Sequence, residues 1–512
     1  MEVITKRFAI FILLQATMLS LLVLLLILPH SLSARLIADE PFDVRKHLST
    51  VSRYGVVRDI ADNSYVPASI PDGCTPIHLN LVARHGTRAP TKKRMRELDR
   101  LATSMQLLIE SAKERKLSLD RVPSWFFGWT SPWKGKVKGG ELIVKGEEEL
   151  YDLGIRIREK FPSLLSEDYH PDVYAIKATQ VPRASASAVA FAMGLFSGKG
   201  TLGTGKHRAF AVSTETRASD ILLRFFDTCQ NYKNYRESEE PTVEKLKEPV
   251  FEEIAHALSG RYGLNFSKQD TSSLWFLCKQ EASLLDITNQ ACGLFNPTEI
   301  ALLEWTDDLE GFILKGYGKS VNYRMGLPLL KDVVESMEVA IRANEEDLPS
   351  GSYEKARLRF AHAETVVPFS CLLGLFLRGS EYSMIQREEP LELPPRPPKK
   401  RNWRGSVVAP FGGNNMLVLY NCLAQKSNKY FVHVLHNEHP VPLPGCDNSD
   451  FCPFEVFKKK ILQPHMNVNY HDICTVKEQP EKPHVQKPVP SKLSSLFGWL
   501  FSSQSHETKT EL

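Results

Sequence analysis

The sequence has no large excess of charge of one sign and no recognisable metal-binding motif. Its 512 residues include 64 Lys plus Arg against 60 Asp plus Glu, so the formal net charge is only +4. A field that attracts nucleic acid over the whole surface is therefore excluded, and we expect no nucleic-acid partner. Neither a Cys-x-x-Cys pair nor a His-Glu-x-x-His motif occurs. We accordingly predict no metal site and no cofactor.

Long hydrophobic runs are also scarce, because only the one at Phe8–Leu28 is long enough to cross a bilayer. Lys6 and Arg7 precede it and small residues follow it, which is the arrangement of a secretory signal. We predict a signal peptide over residues 1–33 and a destination outside the cell or in the lumen of the endoplasmic reticulum. An uncleaved anchor stays open, and the protein would meet a membrane only in that case. The final residues Lys509–Leu512 differ from a retention signal by Thr510 in place of Asp, and chance resemblance stays open as well.

Nine cysteines and one sequon fit the same compartment. Cysteines in a secreted chain favour disulfides, and the odd number leaves at least one thiol unpaired. Spacing does not give the pairing, except that the short separation of Cys446 and Cys452 favours a local loop. Asn265-Phe266-Ser267 predicts glycosylation at Asn265.

Strands alternate with helices in a way that predicts an α/β fold. Period-two alternation indicates strands, and helical patterns follow the second and third of them. The three strand segments are Ile77–Val82, Val173–Ala178 and Ala356–Phe360, and the two helices begin near Ala184 and near Pro368. We expect a mixed central sheet flanked by helices, with a smaller all-α domain inserted in it.

The composition predicts where the parts of the chain begin and end. Residues 34–209 and 346–478 are assigned to the α/β domain, and residues 210–345 to the helical insert. Within the insert, Asn296-Pro297-Thr298-Glu299 reads as an N-cap, a first-turn proline and a capping-box Glu, opening a helix that ends near Gly316. Residues 479–512 are rich in Pro and Lys at their start and predict a flexible linker and tail.

Charged residues follow all three predicted strands. Arg84-His85-Gly86-Thr87-Arg88 follows the first, Arg183 the second, and His362-Ala363-Glu364 the third. Ligands of open α/β sheets bind at the carboxyl ends of strands, and guanidinium groups bind phosphate oxygens in pairs. Gly86 is expected to let backbone amides approach an anion. Each segment alone also fits an ordinary surface turn, but three matching strand ends favour a common anion site.

Such a site supports hydrolysis of phosphomonoesters through a covalent intermediate. A neutral imidazole at His85 would attack phosphorus, while the arginines and a charged His362 neutralise the oxygens. Glu364 is the candidate general acid, which requires a carboxyl that is protonated at the working pH or whose pKa is raised by burial.

The Arg-His-Gly-x-Arg-x-Pro string with a distant His-Ala-Glu resembles the histidine acid phosphatases, clade two of the histidine phosphatase superfamily. The His-Ala-Glu segment is most similar to that of the multiple inositol polyphosphate phosphatases, and this chain resembles the plant, phytase-type form of that family. The resemblance implies that His85 is the nucleophile, that Glu364 donates the proton, and that phosphate is held by Arg84, Arg88, Arg183 and His362. It places Thr91 and Lys92 where relatives contact further substrate phosphates. It also implies four disulfides, with Cys371 left unpaired: Cys74–Cys422, Cys229–Cys474, Cys278–Cys292 and Cys446–Cys452.

The resemblance favours inositol polyphosphates, including phytate, as substrates of a metal-independent monomeric phosphatase, with 2,3-bisphosphoglycerate as a second substrate. Basic segments near residues 92–96, 134–138 and 396–404 would suit a polyanion, although each also fits a solvated loop. Three alternatives stay open. They are a broad-specificity secretory acid phosphatase, a non-catalytic membrane-anchored phosphate-binding relative, and a nucleotide site at Gly200–His207, which nearly matches a P-loop but has His207 where the hydroxyl belongs.

Overall fold

The computed structural model describes residues 42–60, 65–377, 401–423 and 429–476. Within these ranges seven strands form one mixed sheet in the order β2-β3-β1-β4-β5-β6, and β7 pairs with β5. The strands are β1 (Cys74–Arg84), β2 (Tyr174–Ala178), β3 (Ala356–Ala361), β4 (Asn414–Cys422), β5 (Tyr430–His436), β6 (His439–Pro440) and β7 (Phe451–Pro453). Helices flank the sheet, so the predicted fold class is confirmed.

The sheet has a parallel half and an antiparallel half. β3 pairs in parallel with both β1 and β2, whereas β4 is antiparallel to β1 and to β5. The carboxyl ends of β1, β2 and β3 therefore lie at one edge of the sheet. β4 begins at the same edge, because its first residue Asn414 pairs with Ala83.

In the described ranges, eight helices longer than two turns carry most of the remaining core. They are α1 (Lys92–Glu114), α2 (Val144–Lys160), α3 (Pro182–Leu195), α4 (Gln230–Tyr262), α5 (Lys268–Gln280), α6 (Pro297–Lys315), α7 (Leu327–Glu345) and α8 (Ala363–Leu372). Short α-helical turns occur at Tyr54–Val57, Phe225–Thr228, Ser320–Arg324, Gly405–Val408, Phe454–Phe457 and Tyr470–Cys474.

β1 is buried on both faces, which its alternating sequence did not predict. His78 and Asn80, expected on a polar face, are fully buried. The His78 Nε2 atom lies 3.1 Å from the Glu354 carboxylate. The side-chain oxygen of Asn80 accepts hydrogen bonds from the Ser336 hydroxyl (3.1 Å) and the Arg359 guanidinium (2.9 Å). These polar side chains are tolerated at the centre of the sheet because each has a hydrogen-bond partner.

Of two helix starts predicted from the sequence, one agrees with the structure and the other does not. α6 begins as predicted, since the Asn296 side chain accepts from the Glu299 amide and Glu299 accepts from the Asn296 amide, and the helix ends before Gly316. The prediction that α8 begins near Pro368 was wrong, because the helix starts at Ala363, directly after His362. The chain passes from strand to helix without a loop, so Pro368 lies inside the helix.

Four disulfides close the fold, and they join the pairs that the family resemblance implies. They are Cys74–Cys422, Cys229–Cys474, Cys278–Cys292 and Cys446–Cys452. Cys371 is buried with a free thiol. The first bridge joins the start of β1 to the end of β4.

Other expectations concern boundaries and termini. The predicted signal peptide (1–33) and tail (479–512) lie outside the described residues. The described residues from Val44 onward cluster as one compact unit, and the domain boundaries at 209/210 and 345/346 stay a prediction. Among the described helices, none combines the length and apolarity that a bilayer crossing requires.

Candidate active site

The two histidines of the predicted site lie side by side at the edge where the parallel strands end. His85 follows β1 and His362 follows β3, and their ring centroids are 5.5 Å apart. Both residues are almost fully buried, with exposed fractions of 2% and 3%. The Phe411 ring, just before β4, lies 6.0 Å from the His85 ring. Strand pairing thus unites residues that are far apart in the chain.

His85 is held as a neutral imidazole. Its Nδ1 atom lies 2.9 Å from the Gly86 carbonyl oxygen, so Nδ1 carries the hydrogen and Nε2 keeps its lone pair. Burial, followed by the positive charges of Arg183 and Arg84, holds the pKa of His85 well below its usual value. The unprotonated ring is therefore favoured, and its Nε2 atom could act as a nucleophile.

Four arginines surround the two rings, and three of them are those predicted from the sequence. Arg84, Arg88, Arg183 and Arg224 each have a buried Nε atom without a hydrogen-bond partner among the described residues. Burial and the charge of Arg88 lower the pKa of Arg84 to about 9, and burial and Arg88 lower that of Arg183 to about 10. Arg84 and Arg183 therefore stay cationic at neutral pH, and a bound anion would relieve the repulsion among the arginines.

Backbone carbonyls and an aromatic ring fix Arg84 in place. Its Nη1 atom donates to the carbonyl oxygens of Thr50 (2.5 Å) and Ala409 (2.8 Å), and its guanidinium lies 4.3 Å from the centre of the Phe411 ring. Because the side chain is only 6% exposed, it has little freedom to turn away. The cation is consequently preorganised before any ligand arrives.

His362 is neutral in the ligand-free structure, contrary to the expectation that it is charged. Its Nε2 atom accepts a hydrogen bond from Arg224 Nη1 (3.1 Å) and lies 2.9 Å from the Thr179 hydroxyl oxygen. Burial and the nearby Arg183 lower the pKa of His362 well below its usual value, although Glu364 opposes the shift. The surrounding cations make a further positive charge unfavourable until an anion offsets them.

Glu364 also differs from expectation, because its pKa is lowered instead of raised. The Lys315 Nζ atom, at the end of α6, lies 2.9 Å from Glu364 Oε1. Burial alone would raise the pKa of Glu364, but the charge and hydrogen bond of Lys315, together with His362, hold it well below the usual value. The ligand-free site thus contains an ionised carboxylate, and the role of proton donor stays a prediction.

Gly86 serves packing instead of anion binding, which corrects another expectation. Its amide donates to the Ser187 hydroxyl (3.1 Å), so it is not available to a ligand. A Cβ atom at this position would lie 2.2 Å from the Gly146 carbonyl oxygen at the start of α2. Only glycine fits there, and the contact holds α2 close enough for Glu149 to accept the Thr87 amide at 2.8 Å.

Thr91 and Lys92 lie at the beginning of α1, beside the arginines. Thr91 is the N-cap of α1 and makes no capping hydrogen bond with its side chain, and Lys92 is exposed. The ideal Cβ position of Gly140 is 3.6 Å from the Arg183 guanidinium and 3.8 Å from the Thr91 methyl group, so these two residues flank one glycine. Thr91 therefore lies beside Arg183, Lys92 is the exposed residue that follows it, and the role of both in binding further phosphates stays a prediction.

The basic segment at 396–404 does not form the cleft rim that the sequence suggested, as far as it is described. Arg401 and Arg404 instead bind the buried Glu304 carboxylate at 2.8 Å and 2.7 Å. The Gly200–His207 segment is likewise no P-loop, because Leu202 and His207 form an antiparallel bridge and no helix follows. In the described ranges no three His, Cys, Asp or Glu side chains are grouped to hold a metal ion, and metal independence stays a prediction.

Sequence reasoning missed Arg224, Lys315 and Thr179. Thr179 directly follows β2, so its position at a strand end was a usable signal. Arg224 precedes a short helical turn and Lys315 ends a helix, and neither belongs to a motif. Only the folded chain shows that both contact residues of the strand-end motifs.

Comparisons with known proteins agree with this geometry. Residues 77–437 match the model of the histidine phosphatase superfamily (branch 2). Multiple inositol polyphosphate phosphatase 1 of Dictyostelium discoideum is 28% identical over 457 residues, covering 80% of this chain and 69% of that protein. The fold resembles that of the phytase from D. castellii, with a TM-score of 0.63 and 17% identity over 86% of this chain and 91% of that one.

It also resembles the multiple inositol polyphosphate phosphatase of Bifidobacterium longum in complex with inositol hexasulfate, with a TM-score of 0.57 and 18% identity over 82% of this chain and 98% of that one. The family match spans all three strand ends and the residues that follow them. This chain therefore belongs to branch 2 of the histidine phosphatase superfamily and is a phosphoric monoester hydrolase.

Proposed function

We propose that this enzyme removes phosphates from inositol polyphosphates, including phytate, through a phosphohistidine at His85. The observation that carries the proposal is an unprotonated imidazole beside four arginines, of which only Arg224 has an ion pair among the described residues. A phosphomonoester placed there presents phosphorus to His85 Nε2 and its oxygens to the guanidinium groups. Preorganised cations of this kind stabilise the charge of the transition state without a metal ion.

The reaction proceeds in two steps that share one carboxyl group. In the first, a bond forms between His85 Nε2 and phosphorus while the bond from phosphorus to the ester oxygen breaks, and protonated Glu364 gives its proton to the leaving alkoxide. In the second, water attacks the phosphohistidine, the Glu364 carboxylate takes a proton from that water, and inorganic phosphate leaves. Splitting the displacement in this way replaces one slow step by two faster ones.

The choice of substrate rests on the relatives and on the residues next to Arg183. The Dictyostelium relative is named for inositol polyphosphates, and the Bifidobacterium structure contains inositol hexasulfate. Thr91 lies beside Arg183 and Lys92 follows it, so a second phosphate of the same molecule could be held there. 2,3-Bisphosphoglycerate is proposed as a second substrate, because it too places two phosphates close together.

The test follows products over time when purified enzyme acts on inositol hexakisphosphate between pH 4 and 7, with a chelator present. Stepwise release of phosphate, unaffected by the chelator, is expected. Glu364→Gln should slow phytate hydrolysis far more than hydrolysis of 4-nitrophenyl phosphate, whose leaving group needs no proton. Equal turnover of phytate and simple monoesters would favour a broad-specificity acid phosphatase, and an equal loss on both substrates would remove Glu364 from the role of acid.

We further propose that the mature enzyme is a monomer outside the cell or in the lumen of the endoplasmic reticulum. Four disulfides are typical of an oxidising compartment, and Asn265 is exposed where a glycan could be attached. Sequencing the mature amino terminus tests the proposal. A start near residue 34 supports it, whereas retention of Phe8–Leu28 would support a membrane anchor.

A further inference from the structure

The ion pair between Lys315 and Glu364 joins two helices at the wall of the active site. Lys315 is the last residue of α6 and Glu364 the second residue of α8, and their charged atoms are 2.9 Å apart. Their side chains are 22% and 25% exposed, whereas His85 and His362 are almost fully buried. The pair is therefore open enough to solvent for an incoming ligand to reach it.

Charged or titratable groups on several elements interact electrostatically with Glu364. These groups are His362 before α8, Arg84 and Arg88 after β1, Arg183 on α3, Tyr232 and Arg236 on α4, and Lys315 on α6. Lys315 is the cation that contacts the carboxylate directly. The Glu310 carboxylate, five residues earlier on α6, interacts electrostatically with Lys315, but its direct partner is Lys247 at 2.7 Å. The contact with Glu364 is therefore the one that an incoming phosphate would have to replace.

The two chemical steps need opposite protonation states of Glu364. A proton donor must be neutral when the ester bond breaks, and a base must be ionised when water attacks. Contact with the Lys315 ammonium group favours the ionised state of Glu364. The neutral state is therefore favoured only when that contact weakens.

We propose that Lys315 is the positioning residue that switches Glu364 between these states: it keeps the carboxylate ionised in the free enzyme and releases it when a substrate phosphate draws the ammonium group away. This inference rests on the proposed function of Glu364 as the proton donor. Once Nζ turns to the phosphate, the Glu364 carboxylate loses its counter-ion and takes a proton from hydronium in the solvent that reaches it. That proton passes to the leaving alkoxide, and the carboxylate so formed binds Lys315 again and serves as the base for hydrolysis of the phosphohistidine.

The experiment compares pH profiles of Lys315→Met, Lys315→Arg and wild type on phytate and on 4-nitrophenyl phosphate. Removing the cation stabilises the protonated carboxyl, so activity on phytate should extend to higher pH. We expect the ratio of kcat/KM at pH 7 to that at pH 5 to rise about tenfold or more in Lys315→Met, as for loss of an opposite charge in contact. KM for phytate should rise too. Lys315→Arg should restore the wild-type profile, and the profile on 4-nitrophenyl phosphate should not move.

Lys319→Met is the matched control, because Lys319 is an exposed lysine four residues further on that lies over the Tyr235 ring at 5.1 Å. It should behave as wild type, and thermal unfolding should show that every variant is folded. A phytate profile unchanged in Lys315→Met would overturn the switch while leaving the proposed function intact, provided that Glu364→Gln still impairs phytate selectively. Loss of that selectivity would instead show that the proposed role of Glu364 is wrong.

Discussion

Two buried groups of arginines in this protein are built on opposite principles. The site cluster consists of Arg84, Arg88, Arg183 and Arg224, and the carboxylates near it are already paired: Asp227 with Arg224, and Glu364 with Lys315. The balanced cluster consists of Arg401 and Arg404 with Glu304 and Asp308, so two guanidinium groups contact two carboxyl groups. Helix α6 belongs to both, since it carries Glu304 and Asp308 in its middle and Lys315 at its end.

The difference distinguishes charged groups that stabilise the fold through ion pairs from charged groups that could bind an anionic ligand. Glu304 accepts hydrogen bonds from Arg401, Arg404 and Ser406, and its side chain is 1% exposed. In the site cluster, four guanidinium Nε atoms are buried without a partner in the described part of the chain. Arg53, Arg236 and Arg324 also have a buried Nε atom without a hydrogen-bond partner in the same ranges, so what identifies the candidate anion site is the gathering of four such arginines around two buried histidines.

The largest expected effect is loss of activity on removing the nucleophile of the site cluster. His85→Ala eliminates the atom that bonds to phosphorus, so kcat on phytate should fall by at least about 10⁴-fold, as for other covalent nucleophiles. The ring contributes no essential ion pair, and the unfolding midpoint should change little. Phosphate release by the purified variant, measured beside its thermal unfolding, tests both statements. Substantial remaining turnover would remove His85 from the role of nucleophile.

The opposite result is expected in the balanced cluster, where Glu304→Gln should damage stability more than catalysis. The change leaves two buried arginines short of an anion, which costs about 3–5 kcal/mol. Urea unfolding measures the loss, and kcat on phytate under native conditions should stay near wild type.

Glu338→Gln is the matched control, because Glu338 forms a partly exposed ion pair with Lys458 at 3.1 Å and should cost less than about 1 kcal/mol. The pH dependence gives a second check. Burial alone would raise the pKa of Glu304, but its bond with His47 and the charges of Arg404 and Arg401 lower it. The ionised carboxylate therefore stabilises the protein above its unfolded pKa, and the deficit of Glu304→Gln should shrink as the pH falls below about 4. A deficit no larger than that of the surface control would contradict the distinction between the clusters.

Residues of the candidate site could be predicted from the sequence wherever a local pattern and the strand topology were sufficient. The strands before His85 and His362 are short runs of regular alternation, and parallel pairing brings their ends together whatever the loops do. The capping box at Asn296 is equally local, since its two hydrogen bonds involve residues three apart. These features need no information about distant packing.

What the sequence could not predict depends on contacts between distant elements. The ionised state of Glu364 is set by Lys315, which lies on another helix, and the neutral state of His362 is set partly by Arg224. His78 and Asn80 alternate like residues of a solvated face, yet β1 is covered on both sides and they are paired inside. Arg401 and Arg404 read as a basic surface loop because the partners Glu304 and Asp308 are distant in the chain.

A smaller effect is expected from substituting Arg224, the member of the site cluster that donates a hydrogen bond to His362. Arg224→Gln removes the cation that donates to His362 Nε2, and a hydrogen bond to a charged group contributes about 1.5–3 kcal/mol. We expect kcat/KM on phytate to fall about 10- to 100-fold. Because one positive charge is lost, the pKa of His362 should rise, and NMR titration of its ring protons tests that direction. Arg58→Gln, which removes an exposed arginine paired with its neighbour Asp59, is the control and should leave both measurements unchanged.

The smallest expected effect is stabilisation by inorganic phosphate, and it depends on the difference between the clusters. A ligand at ten times its Kd stabilises the folded state by about 1.4 kcal/mol, so phosphate should raise the thermal midpoint of wild type by a few degrees. The Arg183→Ala variant should lose most of this rise in thermal midpoint, because Arg183 is a member of the site cluster. Glu304→Gln should unfold at a lower temperature yet keep the full increment, since the vacated carboxylate position is buried too deeply for an anion from solvent. An increment that survives Arg183→Ala but disappears in Glu304→Gln would place the anion site in the balanced cluster and reverse the comparison.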